Sequence, residues 1–202
     1  MPVRALNAEI DQGDGRLTVR LTHALVADGK LVGQWARNHH TQPVPSLLEF
    51  DLTRAALSHI TAAIPSWRER KISGVLSAHV TLLGSWRDRP SLHGDGWLQA
   101  SGDHLADVPL LDRVLRGFFG ALGDRLGLST FRTAQITELA GQWRVAHERI
   151  ATEDLRLIGV AGTEPITLYV QGSVGFDTTL DLTVEPELSE ALVLEAPTTS
   201  AL

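Results

Sequence analysis

Hydrophobic and polar residues alternate along most of this chain, and a period of two is typical of strands with one buried face. The pattern is clearest at 72–82, where Leu76, Ala78 and Val80 are separated by polar residues. Alternation predicts nine strands, at 17–25, 31–35, 47–51, 72–82, 92–100, 134–145, 150–158, 165–176 and 179–185. Short turns such as Asp28-Gly29 separate several of them, so we expect consecutive strands to pair antiparallel.

Two segments have helical spacing instead, with apolar residues three and four positions apart. The first lies near 54–64 and stops before Pro65. The second lies near 107–123, where Asp107 can cap the first turn and Gly123 or Gly127 can end the helix. The fold is therefore predicted to be mainly β, with two short helices.

The apolar face of such a sheet is larger than its helices can cover. About nine strands with roughly three inward aliphatic residues each present more apolar surface than two short helices hide. The sheet then either closes on itself as a barrel or sandwich, or curls into a groove that something apolar occupies. The alternation does not distinguish between these two arrangements.

Composition and charge exclude several classes of function. The chain has 202 residues, enough for one domain with its own core, and no cysteine, which excludes disulfide scaffolds and thiol chemistry. The last 46 residues, after Arg156, hold seven acids and no Lys or Arg, while the first 156 hold 18 bases and 17 acids. No basic stripe is present to neutralise phosphates, so we expect no nucleic-acid partner.

The chain carries none of the familiar enzyme motifs for phosphate loops, dinucleotide binding, zinc proteases or nucleophile elbows. His93 and Asp95 point to one face of a strand, and His79 could lie on the same polar face, where three such ligands would suit zinc or manganese. The alternative is that this is simply the solvated face, since the residues between them are the small or apolar set. Paired acids occur at 153–154, at 177 and 181, and at 185 and 187, at strand ends where solvated carboxylates are expected. We therefore assign no catalytic residue, metal or cofactor.

The five tryptophans offer a further alternative, a stacking platform for carbohydrate. Trp67 and Trp86 lie in matching Ser-Trp-Arg-(Glu/Asp)-Arg segments, each before a predicted strand. An indole with stacked arginines commonly closes the edge of a sheet, so we expect these two residues to be structural.

A small motif of the form Leu-x-Gly-x-(Gly/Trp) recurs at 31–35, 92–96 and 139–143, with a looser copy at 170–174. A glycine inside a strand usually marks a bulge, a bend or the close approach of another backbone. The recurrence predicts a sheet extended by similar units.

The ordered series of these segments resembles the AsmA-like family, relatives of TamB and YhdP. The stretch 74–98 is similar to the family's unit of a strand, a glycine, a short turn and Leu-x-Gly-x-Gly-x-Leu, here Leu92 to Leu98. The Pro-Leu-Leu segment within 105–111, the hairpin from 14 to 33 and the strands from 136 to 184 also match the family's pattern. The resemblance covers nearly the whole chain and rests on glycines and alternation.

The resemblance implies a non-enzymatic module of the bacterial cell envelope, periplasmic and associated with the inner membrane in the full-length protein. It implies an extended antiparallel sheet curled into a taco-like groove that carries phospholipid acyl chains and takes part in outer-membrane biogenesis. Partners would be other parts of the same AsmA-like protein or envelope proteins. The candidates for the groove lining are the alternating aliphatic residues Leu76, Ala78, Val80, Leu82, Val145, Leu168, Val170, Leu180, Leu182 and Val184.

We therefore expect residues 1–202 to form a single AsmA-like β-rich module with helix insertions near 54–64 and 107–123. The chain shows no signal peptide or membrane anchor and stops where family members continue, so we expect it to be truncated at both ends. The sequence leaves open whether the helix at 107–122 fills the groove. The alternative is a closed β-sandwich that binds carbohydrate or protein.

Overall fold

A computed structural model describes residues 3–40, 45–69, 71–103, 105 and 134–190. Its ten strands are β1 (Val3–Gly13), β2 (Arg16–Val26), β3 (Gly29–Asn38), β4 (Ser46–Ala56), β5 (Val75–Ser85), β6 (Asp88–Ser101), β7 (Gln135–Ala146), β8 (Arg149–Ala161), β9 (Glu164–Gly175) and β10 (Leu180–Leu188). They form one antiparallel sheet whose spatial order is the order along the chain. Because β1 and β10 do not pair with each other, this sheet is not closed.

The mainly β, antiparallel fold is confirmed, and the nine predicted strands correspond to β2 through β10. Within the described ranges the strands make one sheet, not the two sheets of a sandwich. The helix expected near 54–64 is present as α1 (Leu57–Ala63), followed by a 3-10 turn at Pro65–Trp67. The helix expected at 107–123 lies outside the described residues.

Strand β1 was not predicted, and its pairing explains why. The register against β2 shifts between Arg4 and Asn7 and again before Ala8, and Ala5 has a φ of +50°. Such bulges break the alternation on which a prediction of strands depends. All eleven residues of β1 are exposed, so this strand has no buried face that would require hydrophobic residues at every second position.

Three of the hairpins turn through pairs of residues with positive φ, at Asp14-Gly15, Ala27-Asp28 and His147-Glu148. Two consecutive residues with positive φ give the backbone twist that joins adjacent antiparallel strands. The turn expected at Asp28-Gly29 is therefore displaced by one residue, and Gly29 belongs to β3, where its backbone lies against Ala55.

Helix α1 begins later than the apolar spacing suggests, because β4 continues through Ala56. The Ala56 N–H donates to the Ala27 carbonyl at 2.7 Å, and the Leu57 N–H donates to the Gly74 carbonyl at 2.9 Å. The helix stops where Pro65 follows, as expected for a residue that lacks the N–H and restricts its predecessor. Its Ile60 side chain packs against both hydrophobic clusters of the sheet, so α1 joins them.

The larger cluster contains the fully buried Leu157, Ile166 and Leu168 of β8 and β9. The smaller one is formed by Ala24, Val26, Ala27 and Ala55. Both lie on the same side of the sheet as α1. The other side carries most of the polar strand residues, together with a few exposed hydrophobic residues such as Leu83 and Trp97.

Candidate functional site

Cross-strand pairing arranges the residues of neighbouring strands in rows whose side chains share a face of the sheet. One row crosses every strand and contains only apolar residues and one glycine: Ile10, Val19, Trp35, Leu48, Leu82, Gly94, Val145, Ile150, Val174 and Leu180. A second row joins Leu31, Leu52, Ala78, Leu98 and Gly141 across β3 to β7. This side is called the apolar face below.

All ten residues predicted to line a groove lie on this apolar face. They are Leu76, Ala78, Val80, Leu82, Val145, Leu168, Val170, Leu180, Leu182 and Val184. Val145, Leu168 and Val170 are buried, and Leu180, on the edge strand β10, is 44% exposed. The other six are half-buried, so the predicted set combines core positions with positions that are open to a ligand.

A cavity of about 550 Å³ lies on the apolar face. Its walls are formed by α1, the 3-10 turn, Leu105 and strands β5 to β10. The lining residues are Leu57, Ile60, Ile64, Trp67, Leu76, Leu98, Ala100, Leu105, Leu139, Gly141, Gln142, Trp143, Ile150, Ala151, Thr152, Leu155, Leu157, Val170, Gly172, Val174, Leu182 and Val184. None is charged, and Gln142 and Thr152 have the only amide and hydroxyl side chains, so the cavity suits an apolar ligand.

Four of the predicted residues line this cavity: Leu76, Val170, Leu182 and Val184. Alternation could also have identified Leu98, Leu139 and Val174, which occupy the same face of predicted strands. The sequence pattern could not predict that α1 and the 3-10 turn line the cavity. Their position depends on how the connection between β4 and β5 folds back over the sheet.

The recurrent glycine motif places a glycine on the apolar face of four strands, at Gly33, Gly94, Gly141 and Gly172. The strand register shifts beside three of these glycines: next to Gly33 in β3, around Gly141 in β7 and next to Gly172 in β9. A neighbouring backbone lies against all four. At Gly172, where φ is +127°, a Cβ atom would collide with the Asp181 carbonyl oxygen of β10. Close approach of a neighbouring backbone is therefore the commoner role of these glycines here.

The opposite face of the sheet is polar and holds His79. The Nδ1 atom of His79 lies 2.8 Å from Asp51 Oδ1, and its Nε2 lies 3.1 Å from Thr81 Oγ1. Thr81 is flanked across the strands by Glu49 and Asp95. Two neighbouring carboxylates oppose the negative charge that a reacting hydroxyl develops, so this Asp-His-Thr arrangement is poorly suited to nucleophilic catalysis.

The three residues considered as metal ligands, His79, His93 and Asp95, do not converge. His93 Nδ1 lies 2.9 Å from the Ser91 carbonyl oxygen, while His79 is bonded to Asp51. Over residues 3–40, 45–69, 71–103, 105 and 134–190, no group of three His, Cys, Asp or Glu residues is placed to hold a metal ion.

The paired acids take part in local hydrogen bonds. Asp154 Oδ1 accepts from the Gln142 backbone N–H at 2.7 Å. Asp177 Oδ1 accepts from the hydroxyl and the backbone N–H of Thr179 at 2.7 and 3.0 Å, and these bonds hold the pKa of the carboxyl below its usual value. These carboxylates fix a bulge in β7 and the turn before β10.

The tryptophans do not form one platform. Trp35 and Trp143 lie on the apolar face, whereas Trp97 pairs with His79 on the polar face and is 41% exposed. The two tryptophans in matching segments also differ, because Trp67 lines the cavity and Trp86, in the β5–β6 turn, is 56% exposed.

Within the described part of the chain, no helix has both the length and the apolar character needed to cross a membrane. Comparison with known proteins gives no match for the chain among protein-family models, curated proteins or solved structures.

Proposed function

We propose that this chain is a non-enzymatic, AsmA-like module of the cell envelope that holds phospholipid acyl chains on its apolar face. In this proposal it acts in the periplasm during lipid transport to the outer membrane, together with further parts of an AsmA-like protein or with envelope partners. The curled, groove-forming version of the sheet belongs to the same proposal. The apolar cavity of about 550 Å³ is the observation that supports it.

The chemistry of the cavity favours an alkyl chain over a polar ligand. Binding sites for small molecules usually combine an apolar lining with a few polar groups that orient the ligand. Here the lining has no charged residue, and the apolar row continues beyond the cavity to both edges of the sheet. An acyl chain placed there gains about 0.8 kcal/mol for each CH₂ group removed from water.

Partial exposure of the lining distinguishes this surface from an ordinary core. Ile150 lines the cavity and is 42% exposed, although it lies in the apolar row. Its partner Val174 also lines the cavity and is half-buried. Aliphatic side chains that lie on the same face as the core but remain open to solvent are suited to contact with a ligand.

The test is mass spectrometry of lipids extracted from the purified protein and from an Ile150→Arg variant. We expect phospholipid at close to one molecule per chain in the parent and at least a fivefold loss in the variant, because a guanidinium in the apolar lining is costly to desolvate. Val160→Arg is the matched control. Val160 lies on the same strand, is 36% exposed and faces the opposite side, so this variant should retain the lipid.

Circular dichroism of both variants establishes that the comparison is made between folded proteins. Absence of lipid from the folded parent, or equal loss in the two variants, would contradict lipid binding at this face. The competing function, binding of carbohydrate or protein by a closed β-sandwich, has no support from the single open sheet of the described strands.

A further inference from the structure

Arg37 is the one charged residue that β2, β3, β4 and β5 place on the apolar face. It pairs with Leu17 on one side and Ser46 on the other, one row beyond Trp35 and Leu48. Two residues along a strand correspond to about 6.7 Å, so the backbone of Arg37 lies about this far from the apolar row that contains Trp35. Arg37 is therefore at one end of the apolar face.

The Arg37 side chain has no partner within the described residues. Its Nε atom is buried and makes no hydrogen bond there, and the residue as a whole is half-buried. Among the described residues, the basic side chains that lie close to a carboxylate are Arg20, His59 and His79, not Arg37. An arginine cannot lose this proton, so the buried Nε–H without a hydrogen-bond partner is unfavourable. An anion that accepts from Nε would remove this cost.

The surroundings of Arg37 combine hydrogen-bond donors with apolar side chains. Ser46 is directly opposite in the same row and is 8% exposed, so its hydroxyl is a second donor at the same end of the face. Leu17 and Trp35 are the apolar neighbours. A guanidinium matches the oxygen atoms of a phosphate in a two-pronged geometry, and a hydroxyl adds a further bond.

We infer that Arg37, with the Ser46 hydroxyl, binds the phosphate group of an amphiphile whose alkyl chain lies along the apolar face. This inference rests on the proposed function, since it assigns a headgroup site to the same surface. Inorganic phosphate presents the same oxygen atoms as a phosphate headgroup. The experiment therefore tests an alkyl phosphate and inorganic phosphate separately.

The experiment measures binding of dodecyl phosphate and dodecyl maltoside below their micelle concentrations, by tryptophan fluorescence. The two probes share an alkyl chain and differ in the headgroup. The parent should bind dodecyl phosphate about tenfold more tightly than dodecyl maltoside, as expected for one charge-assisted contact. Arg37→Gln should make the two affinities equal, and Arg37→Lys should retain part of the preference because the charge remains.

Arg20→Gln is the matched control, because Arg20 lies on the polar face and pairs with Glu9 at 3.7 Å. This variant should keep the full preference for dodecyl phosphate. Circular dichroism checks that each variant is folded. Arg37→Met should unfold at an unchanged or higher temperature, because it removes an unpaired, partly buried charge.

A parent that binds both probes equally, with no effect of Arg37→Gln, would overturn the headgroup site and leave acyl-chain binding intact. Failure of the folded parent to bind either probe would overturn acyl-chain binding itself. The last arm is inorganic phosphate, followed by ³¹P NMR. If it binds as tightly as dodecyl phosphate and is lost in Arg37→Gln, the anion is free phosphate and the amphiphile is excluded.

Discussion

The indole ring of Trp143 lies over its cross-strand partner Gly96 and fills the space that a Cβ atom at position 96 would occupy. Glycine weakens a strand because it offers no side chain for packing, and an aromatic residue on the neighbouring strand compensates for this. Gly96 and Trp143 therefore act as one unit on the apolar face, and Trp143 in turn lines the cavity.

We expect Gly96→Ala to lower the free energy of unfolding by about 1–3 kcal/mol, the usual cost of inserting a methyl group into a packed site. The added Cβ would collide with both the indole ring and the His79 carbonyl oxygen, and the carbonyl is held in the sheet. Urea unfolding monitored by circular dichroism measures the change. Gly13→Ala is the control, since nothing lies within 4 Å of its Cβ position, and equal losses in both variants would contradict this account.

The alternation of the sequence was sufficient to predict which side of β5 to β10 is apolar, because one face is buried and a shift of one residue would expose it. It could not predict β1, where bulges around Ala5 break the period. Nor could it separate Trp67 from Trp86, whose local sequences match. Their different environments depend on the path of the connection after α1, which is a tertiary property.

Arg37 shows a second limit of sequence interpretation. A single arginine in a strand is ordinarily assigned to the solvated face, but Arg37 lies two residues after Trp35 and so shares the apolar face with it. The strand was predicted to end at Trp35, so the extension of β3 to Asn38 had to be known before this position was recognised. The aliphatic lining was predictable because many residues repeat the same alternation. The location of a single polar residue is not predictable in this way, because no repeated pattern marks it.

Leu157→Ala should lower the free energy of unfolding by about 2–5 kcal/mol, since the side chain is fully buried and its removal leaves a cavity. Leu6→Ala makes the same chemical change on β1, where the side chain is 62% exposed, and should alter stability by no more than about 0.5 kcal/mol. Thermal and urea unfolding of the two variants test the contrast. Similar losses would mean that the core does not lie at β8 and β9.

Tyr169 is the single tyrosine of the chain, so its ionisation can be followed directly by ultraviolet absorbance. Its hydroxyl donates to Glu187 Oε2 at 3.0 Å, and this bond, together with the charge of the carboxylate, raises the pKa of Tyr169 above its usual value. Glu187→Ala should move the absorbance titration to lower pH. A titration that does not change would show that the two side chains do not interact.

The same pKa shift fixes the sign of a pH dependence. Because the pKa of Tyr169 is higher in the folded chain than in the unfolded one, its contribution to stability is complete below about pH 10 and is lost as the pH rises through the folded value. The parent should therefore lose more stability than Glu187→Ala over this alkaline range. Urea unfolding at pH 9 and at pH 11 measures the difference, and a larger loss in the variant would contradict it.

Amide hydrogen exchange should distinguish the two ends of the sheet. Every residue of β1 is exposed and β1 pairs only with β2, so its hydrogen bonds can open without disturbing a core. Strands β8 and β9 pair on both sides and contain Leu157, Ile166 and Leu168, which are almost completely buried, so their amides should exchange only through larger openings. We expect β1 to exchange at least a hundredfold faster than the centre of β9, by mass spectrometry of peptic fragments. Protection of β1 equal to that of β9 would contradict this expectation.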